Sequence, residues 1–142
     1  MTTYTIHTDK NIIAEEFDVL MALNGWGNDG FFTEEVLSNH FSAVRHLAYV
    51  RSDSGTLIGY MSAMYNGFAS NIIDTMAIHP DAPQEEIGRI LLAEISRQSY
   101  GLPLYAMPFQ DQQDIFKGQG FRVPGRPMVA LSKNNQDMSI AA

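Results

Sequence analysis

The sequence predicts a mixed α/β (α+β) domain, on three observations. Short runs of alternating or β-branched residues at 46–51, 56–65 and 70–79 are joined by turn-forming residues, which is the pattern of antiparallel hairpins. Three longer stretches instead repeat their apolar residues every three to four positions, as amphipathic helices do. Finally, the run 71–92, NIIDTMAIHPDAPQEEIGRILL, passes from an apolar strand through a short loop into a helix, which leaves free backbone N–H groups at the loop mouth.

Tyr4-Thr5-Ile6-His7-Thr8 alternates and is expected to be the first strand. Ile12, Ile13, Phe17, Val19, Leu20 and Leu23 follow the helical period, and Asn24-Gly25 stops that helix. Thr33 is an N-cap residue, with Glu34 and Glu35 in the first turn, where the helix dipole favours them. The strands His46–Arg51 and Thr56–Tyr65 are joined by Ser52-Asp53-Ser54-Gly55, and Asn66-Gly67 turns the chain into the strand at 70–79. Pro80 ends that strand, and a helix opens at Pro83-Gln84-Glu85-Glu86 with Ile87, Ile90, Leu91 and Ile95 on one face. Gly101 breaks it. A strand at Leu102–Met107 and a short helix at 110–117 follow, and Phe121–Val123 with Met128–Leu131 read as a terminal pair about Pro124-Gly125. The expected order is β-α-α-β-β-β-α-β-α-β-β, a single domain over 1–132, with a frayed tail at 133–142.

With 142 residues, 45% of them apolar, the chain has enough material for one substantial core. No apolar run has the length of a membrane span and the first residues, MTTYTIHTDK, lack a signal-peptide core, so a cytoplasmic protein is expected. The absence of cysteine removes thiolate nucleophiles, disulfides and Cys-based zinc sites, and His7, His40 and His46 show no metal spacing. A net charge of −7 speaks against nucleic acid or an anionic membrane as partner and is compatible with a cationic amine.

The run 71–92 resembles the acyl-CoA site of the GNAT superfamily of N-acyltransferases, whose motif reads V-x-P-x-x-[QR]-x-x-G-x-[GA]. Ile78-His79-Pro80 matches V-x-P, Ile87-Gly88-Arg89 closes the loop, and Leu91-Leu92 is the buried helix face. Pro83 stands where the motif has Gln or Arg, and Glu86 where it has its first Gly. Leu57-Ile58-Gly59-Tyr60 resembles the family's L-[IV]-G-x strand, Phe116-Lys117-Gly118-Gln119-Gly120-Phe121 its Y-E-K-L-G-F run, and Arg126-Pro127-Met128 the entry to its last strand. The predicted element order is that of the family across nearly the whole chain.

The resemblance implies a GNAT-like fold with a mostly antiparallel mixed sheet, splayed between the strands at 72–79 and 102–108. It implies acetyl-CoA as co-substrate, no metal, and a primary amine of a small molecule or peptide as acceptor. The thioester arm would pair with backbone at Met76, Ala77 and Ile78, and the pyrophosphate with N–H groups of Gln84, Glu85, Glu86, Ile87, Gly88, Arg89 and Ile90. A mid-helix glycine costs about 1 kcal/mol relative to alanine, so Gly88 suggests a close approach by something. The family's proton-donating Tyr is Phe116 here; Tyr105 and Tyr100 are the nearest alternatives by sequence, each either an acid or a core or rim tyrosine, and solvent can also protonate the thiolate. Asp74 is the candidate base, or else an edge-of-core aspartate bonded to backbone. His79, before Pro80, reads as structural. In the loop NGWGNDGFF, Trp26, Asp29, Phe31 and Phe32 would border the acceptor, with Asp29 as an amine anchor, or the aromatics would close the core. Tyr65, Asn66 and Phe68 at the hairpin could instead meet a second copy in a homodimer. Pro83, Glu86 and Phe116 together motivate the alternative of a degenerate domain that binds acyl-CoA or a protein partner without turnover.

Overall fold

The structure, a computed structural model, describes residues 3–133. The elements run β1 (Tyr4–His7), α1 (Ala14–Leu23), α2 (Glu34–Ala43), β2 (His46–Ser52), β3 (Leu57–Tyr65), β4 (Asn71–Ile78), α3 (Gln84–Gln98), β5 (Leu104–Ala106), a 3-10 turn at Gln110–Gln112, and α4 (Gln113–Gly118). The five strands form one sheet in sequence order, antiparallel except for the parallel pair β4–β5.

Strand alternation builds a core on each face. Ala48, Val50, Met61, Met76 and Ile78 pack under α3 with Ile87, Leu91, Leu92 and Ile95. Leu47, Tyr49, Tyr60 and Ala77 face the other way, against Phe17, Leu20 and Met21 of α1 and Leu37 and Phe41 of α2. Gly59 admits α3 to the sheet, since a Cβ there would stand 2.7 Å from Ile87 Cγ2.

Local signals set the ends of the elements. The Thr33 hydroxyl accepts the Val36 N–H at 3.3 Å and starts α2. Glu16 reaches back to the Ile13 N–H at the start of α1 and holds Arg51 of β2 with both carboxylate oxygens, at 2.7 and 2.8 Å. At the β3–β4 turn, Asn66 Oδ1 accepts three successive N–H groups, from Phe68, Ala69 and Ser70.

The last stretch departs from expectation. Among the described residues no strand forms at 121–123 or 128–131, and β5 spans three residues, not six. Pro124 and Pro127 lie between those short segments and cannot donate to a ladder, so neither segment can extend toward the other as strand. The tail expected at 133–142 lies, apart from Lys133, outside the described residues. No helix of the described residues is long and apolar enough to cross a membrane.

Candidate functional site

Strands β4 and β5 pair only at Asn71–Leu104, Ile72–Tyr105 and Ile73–Ala106. Beyond Ile73 they part, and a cavity of about 300 Å³ opens between Asp74–Met76 on one side and Met107–Phe109 on the other. The point of divergence is also an irregularity in the β3–β4 ladder: Ser62 faces Thr75 and Ala63 faces Ile73, so Asp74 is the extra residue of a bulge. The Ser62 and Thr75 hydroxyls donate to Asp74 Oδ2 at 3.0 and 2.8 Å. Asp74 Oδ1 is buried and receives no hydrogen bond from the described residues. A buried carboxylate oxygen without a donor is costly, and here the residue that carries it lines a cleft.

The edge of β4 beside the cleft is partly taken. His79 N–H donates to Ile58 O at 2.8 Å, so alternation along the antiparallel pair turns the backbone of Ala77 toward β3 and that of Ile78 and Met76 away from it. The Asn24 side chain occupies Ile78 on that outer side: Nδ2 donates to Ile78 O at 3.2 Å and Oδ1 accepts Ile78 N–H at 3.3 Å. Of Met76, Ala77 and Ile78, only Met76 therefore presents backbone to the cleft without a strand or Asn24 opposite. Asn24 is the C-cap of α1, and nothing in its Asn-Gly context signals this second contact.

The start of α3 is uncapped. Pro83 holds the N-cap position with no side-chain hydrogen bond, and the first intrahelical donor is Ile87 N–H to Pro83 O at 3.0 Å. The N–H groups of Gln84, Glu85 and Glu86 are thus the orphans of the first turn. The Gln84 amide pins the loop by donating to His79 O and Ala82 O at 2.8 and 3.0 Å, and His79 Nδ1 accepts the Asp81 N–H, so His79 is structural. Glu85, Glu86 and Arg89 are exposed. Gly88 is buried in the second turn of α3, and a Cβ there would meet Ile115 Cγ2 of α4 at 2.8 Å and Ile78 Cδ1 at 3.5 Å. The close neighbour that Gly88 admits is a side chain of α4. Ile87 is likewise core, and Ile90 packs against it. The splayed cleft and the three orphan amides are the groups that would hold an acyl-CoA, with the carboxylates of Glu85 and Glu86 set against its phosphates.

Other expected residues divide between the cleft and elsewhere. Trp26 lines the cleft, its ring 5.6 Å from that of Phe109. Phe116 lines it too, at 4% exposure, and has no proton to give. Tyr105 does not: it borders a wider hollow at the other end of α3, beside the fully solvated Tyr100, so neither tyrosine is positioned as an acid for the cleft. Asp29 and Phe31 also lie outside the cleft lining. Phe32 closes the core edge-on to Phe17 at 5.0 Å. The loop is held by a residue the sequence reading did not single out, Asp18 of α1. Its carboxylate accepts Phe32 N–H at 2.9 Å and Gly30 N–H at 2.8 Å, bonds that hold its carboxyl below the usual range. A lone charge between Phe17 and Val19 was the only signal. On the same sheet face, His40 Nε2 and the fully buried Tyr60 hydroxyl share a 2.9 Å hydrogen bond. Burial lowers the His40 pKa, against the pull of Asp74, and raises that of Tyr60 well above normal.

No protein-family model matches the chain, and no curated protein matches it. Solved structures do. A GNAT-family acetyltransferase from Streptococcus pneumoniae TIGR4 superposes with a TM-score of 0.68 at 18% identity, covering 93% of this chain and 100% of the other. A probable acetyltransferase from meticillin-resistant Staphylococcus aureus gives 0.74 at 14% identity, covering 93% and 99%. The aminoglycoside N-acetyltransferase AAC(6')-Iy, solved in complex with CoA, gives 0.67 at 15% identity, covering 96% and 97%. With its splayed mixed sheet, its bulge in β4 and these superpositions over nearly all of both chains, this chain has the GNAT fold.

Proposed function

We propose that the chain is an acetyl-CoA-dependent N-acetyltransferase that acts on a primary amine. The observation that carries this reading is Asp74: a carboxylate set by a bulge at the mouth of the β4–β5 cleft, with one oxygen held by two hydroxyls and the other buried and free. That free oxygen can accept an N–H of an incoming amine and then its proton. The Ser62 and Thr75 hydroxyls fix the carboxylate plane, so little reorganisation is needed. Acetyl-CoA would supply a thioester whose acetyl group passes to the amine nitrogen, giving an amide and a free thiol. The Gln84, Glu85 and Glu86 amides would bind its phosphates, and Met76 backbone its amide-bearing arm. Trp26, Phe109 and Phe116 give the cleft an apolar wall. Phe116 has no proton to give and no tyrosine lines the cleft among the described residues, so a proton returned to the thiol would come from water. The solved CoA complex of a protein with this fold supports the co-substrate.

A second reading, binding of acyl-CoA or a protein partner without turnover, is favoured by one specific observation, Phe116 on the cleft wall with no proton to give. A homodimer contact at the β3–β4 hairpin, where Phe68 is 87% exposed, and a cytoplasmic location go with the enzyme reading. Calorimetric titration with acetyl-CoA, followed by assay of free thiol with a panel of amines, tests the reading. Saturable heat and amine-dependent thiol are expected. Heat without thiol would leave the second reading, and no heat would remove both acyl-CoA readings.

A further inference from the structure

We infer that the acceptor is a primary monoamine carried on an apolar, preferably aromatic, body; the inference rests on the enzyme reading and narrows it. Asp74 is the only charged side chain among the described residues that line the cleft. Its Oδ2 is satisfied by Ser62 and Thr75, which leaves one free acceptor, Oδ1, for one ammonium head. A second or third ammonium group on the same molecule would be buried with no counter-charge. Polyamines and aminoglycosides therefore fit poorly. An amino acid or peptide would bring carboxylate or amide groups that need donors; the Thr75 hydroxyl already donates to Asp74, so among the described lining side chains only the Trp26 indole N–H and the Gln112 amide remain to answer them.

The walls point to the rest of the molecule. The Trp26 and Phe109 rings stand 5.6 Å apart and tilted by 40°, each partly exposed, so their faces are free to take a ring or an alkyl chain. Met76 and Met107 adapt to either at the sides. An ammonium beside an aromatic face is itself favoured. A cleft of about 300 Å³ suits a compact molecule.

Trp26 is the only tryptophan of the chain, so its fluorescence reports cleft occupancy in the intact protein without any turnover. The probes are 2-phenylethylamine, its uncharged analogue 2-phenylethanol, spermidine and kanamycin, titrated against the parent protein and Asp74→Asn. A charge-assisted bond to Oδ1 predicts that 2-phenylethylamine half-saturates at a concentration lower by about tenfold or more than any of the others. In Asp74→Asn the advantage of amine over alcohol should vanish. Equal or tighter binding of spermidine or kanamycin, no preference for amine over alcohol, or no saturable change with 2-phenylethylamine would each overturn the inference. These comparisons are complete on the parent protein even if the variant fails to fold. The two proposals fail differently. Thiol released with spermidine but not with 2-phenylethylamine sinks the monoamine inference and leaves the enzyme reading standing. Tight 2-phenylethylamine binding with no thiol release sinks the enzyme reading alone.

Discussion

Asn24 and Asp74 sit on opposite sides of the question of what the cleft can do. The Asn24 carboxamide imitates a peptide group: it donates to Ile78 O and accepts from Ile78 N–H, and its Nδ2 also reaches Leu20 O at 2.9 Å. If the arm of CoA pairs along β4, this amide must give way. Asn24→Ala should lower stability by about 1 kcal/mol, the net worth of such bonds. It should also tighten CoA by roughly fivefold, as the displacement cost disappears. Thermal melts and calorimetric titration read the two effects, and weaker CoA binding would mean that Asn24 belongs to the ligand site. Asp74→Asn tests the other side. A positioned base contributes about 10²- to 10⁴-fold, so kcat in the thiol assay should fall by that order with CoA affinity unchanged. A loss under fivefold would make Asp74 a structural residue of the bulge. The sequence showed a carboxylate on the right strand, because one charge among Ile72, Ile73 and Met76 stands out. It did not show the bulge, which exists only in the pairing of Ser62 and Ala63 with their partners, nor the reach of Asn24 across 54 residues.

Among the elements, α3 and α4 are coupled through a single glycine. Gly88 was legible as a helix position where something comes close; that the neighbour is Ile115 was not, because α4 is fixed by tertiary packing and by a short, weakly patterned sequence. Gly88→Ala trades a helix-propensity gain of about 1 kcal/mol against a Cβ at 2.8 Å from Ile115 Cγ2, a methyl bonded directly to Cβ that yields only if α4 shifts, and should be mildly destabilising. Gly88→Leu is larger still. It should overpack the α3–α4 contact, cost about 1–3 kcal/mol, and displace α4 along with Phe116 of the cleft wall. Chemical denaturation of both variants checks this, and a Gly88→Leu protein as stable as the parent would show that α4 moves freely. The terminal pair expected at 121–123 and 128–131 does not form among the described residues, for a related reason. Alternating apolar residues such as Phe121 and Val123 satisfy a strand pattern, but two prolines and a three-residue β5 leave little ladder to join.

At the scale of the whole molecule, the sheet separates two cores, and the one under α1 and α2 encloses a histidine. His40 is half-buried among the rings of Phe17, Phe41 and Tyr60, with its Nε2 on the Tyr60 hydroxyl and the charge of Asp74 acting on it from β4. Burial lowers its pKa from 6.5, and burial, with Arg45 beside it, lowers that of His46. The unfolded chain then binds more protons than the folded one between the folded pKa values and 6.5, so stability must rise with pH across that window. Both contributions are complete above 6.5 and are lost as the pH falls through it toward the folded values. Tyr60, whose pKa burial raises, does not titrate there. Glu16 and Asp9, held below their usual values by Arg51 and by the Tyr49 hydroxyl, act in a separate window below 4.5. The ceiling is about 1.4 kcal/mol per pH unit for each proton, and partial solvent access to His40 keeps it below that. The melting temperature should therefore hold from pH 7.5 to about 6.5 and drop below that, by a few degrees by pH 5. His40→Gln, which keeps a partner for Tyr60 but cannot titrate, should flatten most of that slope. An equal slope in the variant would transfer the effect to His46. A flat parent curve would mean that water reaches the imidazole as freely in the fold as out of it, and that the core over this face of the sheet is looser than its packing shows.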